Sequence, residues 1–152
     1  MRWRHTPLYA LGLFALIQLV PYGRDHSNPP VTSEPKWDTP QTRALVKRAC
    51  FDCHSNETVW PAYSHVAPAS WLIQKHVDEG RHELNFSTFD QGKSKRHASE
   101  AAEEVSEGEM PMAGYVLLHS EAKLTEAERE ALIAGLKATF GEQSEHHDHH
   151  EH

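Results

Sequence analysis

The 152-residue chain has little of the chemistry that would define several broad classes of protein. It contains two cysteines, so no disulfide framework can staple it. Lys and Arg number 15 against 22 Asp and Glu, a net charge of −7, which argues against a general nucleic-acid binder. Its 38% hydrophobic content is too high for a wholly disordered chain, and nine prolines and eight glycines punctuate it too often for a coiled coil. No stretch alternates strongly enough to be read as a strand, and there is no internal repeat. No nucleophile is paired with a base in any recognisable arrangement, so an enzyme is not expected. What the chain does have is thirteen histidines, and its two cysteines stand close together.

The N-terminus indicates export. Arg2 and Arg4 precede an apolar run from Leu8 to Val20, the layout of a secretory signal. No Ala-x-Ala-like cleavage step follows, and the run is shorter than the ~20 apolar residues of a comfortable span. Residues 1–22 are therefore read as a signal-anchor or signal peptide, with Trp3 and Tyr22 as interfacial aromatics. This orientation places the rest of the chain on the periplasmic side of the bacterial inner membrane, anchored or, after cleavage, free. Residues 23–36 carry Pro29, Pro30 and Pro35 and read as an extended linker. The folded part spans 37–141, and 142–152 form a disordered acidic tail with five histidines, suited at most to weak divalent-metal binding. Net charge divides as +2, −5 and −4 over residues 1–36, 37–141 and 142–152.

Helical signals dominate the folded part. Thr39 and Pro40 open one helix leading through Leu45 to Cys50. Pro68 opens a second that Gly80 should stop near Glu79. A third, Lys95 to Glu107, has only a small apolar face and is expected on the surface, ending at Gly108. Thr125 and Glu128 form a capping box for a fourth, with Ala131, Leu132, Leu136 and Phe140 as its buried stripe. The expected class is all-α.

Cys50-Phe51-Asp52-Cys53-His54 carries the chemistry. Cys-x-x-Cys-His is the pattern of c-type haem attachment, in which the two thiols add to the haem vinyl groups and the next histidine is the proximal iron ligand. A thioredoxin-like redox pair would need a βαβ context, and structural zinc would need further ligands. A second axial ligand would come from methionine or histidine. Met110 and Met112, in Gly108-Glu109-Met110-Pro111-Met112, are the only methionines after Met1, and spacing does not separate them. His65, His76, His82, His97 and His119 are the histidine rivals, with His119 placed to bond a propionate or a loop carbonyl. Trp60, Tyr63 and Trp71 read as pocket or core aromatics, and Arg81 as a propionate partner.

The chain resembles the bacterial haem-binding domain family of cytochrome c type. The resemblance runs from about Pro21 to Leu136 and includes Tyr22-Gly23-Arg24-Asp25-His26, Asn28-Pro29-Pro30 and Ala49 through Thr58. It continues in Trp60-Pro61, Ser70-Trp71-Leu72, Glu79-Gly80-Arg81, Leu84-Asn85-Phe86-Ser87, Glu109-Met110-Pro111, Tyr115, His119 and Ala122-Lys123-Leu124-Thr125. Ala62 departs from it, standing where such sequences often carry Trp. The resemblance implies a small mono-haem helical domain behind an N-terminal membrane segment, with Cys50 and Cys53 binding one covalent haem c. It also implies His54 as proximal ligand and Met110 as distal ligand. The function it suggests is single-electron transfer to a redox partner protein. The alternative is a haem-based redox or gas sensor with a displaceable distal ligand.

Overall fold

A computed structural model describes residues 6–91 and 93–141. Arg2, Arg4, Trp3 and the histidine-rich tail lie outside the described residues.

Among these residues the chain is helical, with one isolated bridge, Ser33 to Thr88, as its only β pairing. The helices are α1 (Thr6–Ile17), α2 (Pro40–Ala49), α3 (Phe51–His54), α4 (Ala69–Glu83), α5 (Ser94–His97), α6 (Ala101–Glu107), α7 (Ala113–Leu118) and α8 (Glu126–Phe140). Short 3-10 turns occupy Ala62–His65 and Ser120–Ala122.

Local chemistry sets the ends of α2 and α8. Thr39 caps α2 by accepting the Thr42 amide, Pro40 fills a position that needs no N–H, and Lys47 and Arg48 face the negative end of the helix dipole. The Thr125–Glu128 capping box starts α8 as expected. The two helices cross closely where Gly135 meets Thr42, with no room there for a side chain at Gly135. Leu45, Val46, Phe51, Phe86, Leu132 and Leu136 form the centre of the core, with Trp37 and Phe140 packed against it. Burial of each such side chain contributes about 1.5–3 kcal/mol before the entropy of ordering is set against it.

Four expectations change. Gly80 does not stop α4, which runs on to Glu83, because a glycine is needed at that point inside the helix for close packing on α3. The expected third helix is two, α5 and α6, and it is not a surface element. Ala98, Ala102 and Val105 are buried in the core, their small side chains allowing close packing. The helix α7 carried no sequence signal that marked it. Finally, the expected N-terminal membrane helix is not found. No helix among the described residues is long and apolar enough to cross a membrane. The 12 residues of α1 reach about 18 Å at 1.5 Å each, against a hydrocarbon core of about 30 Å. None of its side chains is buried.

The proline-rich segment is extended, but it is also bonded to the domain along its length. Asn28 donates to the Thr58 carbonyl (2.9 Å), and Pro30 accepts from Asn56 Nδ2 (3.0 Å). The Thr32 and Ser33 amides both donate to the Ser87 carbonyl. Glu34 takes bonds from Trp37 Nε1 and from Arg43. Prolines lack an N–H, so side chains and carbonyls make most of these contacts. The segment is a strap.

Candidate haem site

The turn after α2 carries the site. Cys50 caps α2, its amide bonded to the Val46 carbonyl at 2.8 Å, and its own carbonyl accepts the amides of Cys53 and His54. Phe51 pins this turn into the core, almost fully buried and stacked on Phe86 at 5.7 Å. The side chains on either side of it are thereby left facing a cavity of about 500 Å³ that Cys50, Cys53 and His54 line together.

Both cysteines are free thiols. Burial, helped by the neighbouring Cys53, pushes the Cys50 thiol up to about 12. Burial and the Asp52 carboxylate push Cys53 up to about 11. Reactive redox cysteines need the opposite shift, so these are protonated thiols at neutral pH. His54 Nδ1 lies 3.0 Å from the Leu84 carbonyl. A carbonyl only accepts, so Nδ1 carries the proton and Nε2 keeps its lone pair, the form that ligates a metal. Burial also lowers the His54 pKa, which favours the neutral ring. Leu84 caps the end of α4, so this helix positions the imidazole.

Met110, Met112 and Tyr115 also line the cavity. The structure brings both methionines to the cavity and does not choose between them. Leu84, Phe86, Val105 and Leu136 add apolar surface. The volume lies within the roughly 300–1,000 Å³ of small-molecule and cofactor pockets. Two thiols, a ligand-ready imidazole, two methionines and apolar side chains lining one cavity fit a haem by their donor chemistry.

The haem-binding domain family matches residues 12–138. The chain belongs to that family. No curated protein and no solved structure matches it. As a member of the haem-binding domain family it is a haem-binding protein, and the cavity beside Cys50, Cys53 and His54 is where its residues suit that group.

Of the other residues singled out in the sequence, two histidines share the cavity and the rest fall elsewhere. His76 and His97 line the cavity, His97 bonded to Glu100 at 2.9 Å. His65 packs edge-on to His26, and His82 bonds Glu83 at the surface. His119 bonds the Tyr115 carbonyl through Nδ1 and Tyr63 through Nε2. Trp60, Tyr63 and Trp71 do not line the cavity. Trp60 stacks on His26 of the strap, and Trp71 lies beside Val20 and Tyr22. Arg81 is not a propionate partner. It does not line the cavity, and its Nε and Nη2 donate to the Ser55 carbonyl, Asn28 and Thr58, tying the strap to the loop after the motif. Asn56 and Asn85, both within the segments that carry the family resemblance, are buried and bonded to each other at 2.9 Å. Sequence reasoning missed Asp52 and Tyr115, whose side chains meet at 2.5 Å beside the motif. The acidic residue inside Cys-x-x-Cys-His was the available signal.

Proposed function

We propose that this protein is a mono-haem c-type cytochrome that transfers single electrons in the periplasm. The observation that supports the reading most is that Cys50, Cys53, His54, Met110 and Met112 line one cavity, with His54 Nδ1 bonded to the Leu84 carbonyl and Nε2 left with its lone pair.

In the proposed attachment, Cys50 and Cys53 each add S–H across a vinyl double bond. Sulfur bonds one vinyl carbon, the thiol hydrogen goes to the other, and no external oxidant or reductant is consumed. The Leu84 carbonyl holds the His54 ring with Nε2 free, so His54 and Met110 would be the residues that hold the iron, and a methionine ligand would raise its reduction potential. The haem then supplies a one-electron couple at its iron. Leu84, Phe86, Val105 and Leu136 in the lining lower the local dielectric around such a group. Residues 37–141 carry −5, which suits a transient, salt-sensitive encounter with a basic redox partner. Delivery to the periplasm is inferred from Arg2 and Arg4 ahead of the apolar run, and from the uncovered apolar side chains of α1.

Matured protein should retain haem on a denaturing gel. Cys50→Ala and Cys53→Ala should each leave one thioether, seen as a red-shifted alkaline pyridine spectrum, and the double variant should release its haem. Haem lost from the unmodified protein under denaturing conditions would refute covalent attachment. Carbon monoxide binding by the untouched ferrous protein would instead support a sensor.

A further inference from the structure

The helix α7 is joined directly to the methionine segment: Met112 is its N-cap, and the Met112 carbonyl accepts the amides of Tyr115 and Val116. Yet α7 buries no residue, and Leu117 and Leu118 point outward. Something other than apolar burial must hold this helix against the body. Its neighbours are tied down at both ends. The Glu104 carbonyl accepts the Glu109 and Met110 amides on one side, and Ala122 is fully buried on the other.

Between these ends, the Tyr115 hydroxyl donates to Asp52 Oδ2 at 2.5 Å, across from α7 to the middle of the attachment motif. The carboxylate is itself fixed, since Oδ1 accepts the Val59 amide at 2.9 Å. The tyrosine is braced from behind. The His119 ring stacks on it at 4.1 Å and bonds its carbonyl, while Tyr63 donates to the far nitrogen of that ring. Asp52 and Tyr115 both line the cavity, so their bond closes part of its wall. A hydrogen bond to a charged acceptor is among the stronger kinds in a protein.

We propose that Tyr115 is a positioning residue, latching the segment 108–119 to the haem-attachment turn through Asp52 and so holding the methionine side of the cavity closed. This rests on the haem reading above. It gives Asp52 a part in the site that its place between two cysteines does not reveal.

The test uses the mature haem protein and Tyr115→Phe, which keeps the stacked ring and removes only the hydroxyl. Asp52→Asn weakens the same bond, and Tyr22→Phe, which removes an exposed hydroxyl bonded to Asp78, is the control. Amide exchange over 108–119 and imidazole binding to the ferric haem are measured at equal haem loading. In Tyr115→Phe both should increase about tenfold, the equivalent of about 1.4 kcal/mol. Asp52→Asn should change both in the same direction by less, and Tyr22→Phe should change neither. Unchanged exchange over 108–119 would overturn the latch. Faster exchange with unchanged imidazole affinity would overturn its role at the haem, as would an equal response from Tyr22→Phe. Absence of the methionine–iron charge-transfer band from the unmodified protein would refute methionine ligation separately, and the exchange result would still decide the latch.

Discussion

Gly80→Ala tests how the attachment turn is held. A methyl built at Gly80 would sit 2.5 Å from the carbonyl oxygen of Cys53, 2.9 Å from its carbonyl carbon and 3.1 Å from its Cβ. Ordinary contact begins at 3.4 Å, so the oxygen would have to retreat by about 0.9 Å. It cannot do so cheaply, because it belongs to the backbone of a turn pinned by buried Phe51. Overpacking of this kind costs about 1–3 kcal/mol. Replacing glycine inside a helix recovers about 1 kcal/mol of propensity. The expected net loss is about 0–2 kcal/mol, or up to about 15 °C in Tm for a domain of this size. Thermal unfolding of the mature protein followed by circular dichroism would measure it, with covalent haem content as a second readout that should also fall. Gly114→Ala in α7 is the comparison, since a methyl there meets nothing within 4 Å and should be neutral or stabilising. If Gly80→Ala raised Tm as Gly114→Ala does, the close packing of α4 on the attachment turn would be refuted.

Two other perturbations address the distal ligand and the strap. Met110→Ala should abolish the methionine–iron charge-transfer band and lower the reduction potential, while Met112→Ala should keep the band; the reverse pattern would reassign the ligand. Burial pushes the Glu34 carboxyl up, but hydrogen bonds from Arg43 and Trp37 outweigh it and hold the group below its ordinary 4.5. A lowered folded-state pKa stabilises above the unfolded value and ceases to as pH falls through the folded one. Glu34→Gln should therefore cost about 0.2–1 kcal/mol at pH 7 for this partly exposed pair, and the gap should close at an acid pH below the folded-state pKa. An equal gap at both pH values in thermal melts would refute the ion-pair account.

Much of the helical framework was legible because its signals are local. Thr39-Pro40 and Thr125 with Glu128 mark helix starts by their own chemistry, and Cys50, Cys53 and His54 form one contiguous motif. What escaped depends on contacts distant in sequence. Gly80 has the ordinary look of a helix stop until Cys53, 27 positions earlier, is seen packed against it. Ala98 and Ala102 are too small to mark a buried face by hydrophobicity, but small residues permit close approach. Arg81 suits a propionate by residue type, and only the fold shows its donors already engaged. Tyr115 and Asp52 are 63 positions apart, and no periodicity links them.

The strap bears on how far the domain can travel. A flexible 14-residue connection between α1 and the domain would have a typical end-to-end distance of about 20 Å and would let the domain sweep a large volume from a fixed end. Residues 23–36 are instead hydrogen-bonded along the body. At their start, Gly23, at φ +76°, is pressed so closely on Ser70 that a side chain there would strike its carbonyl. Gln18, just past α1, clasps Ala67 by both its backbone groups, at 2.9 and 3.0 Å. The residues between α1 and the domain are thus bonded to the body and do not form a free 14-residue linker. For the proposed electron transfer, a partner would have to diffuse to the cavity, and encounter rates should depend on its concentration and charge and not on the length of a tether.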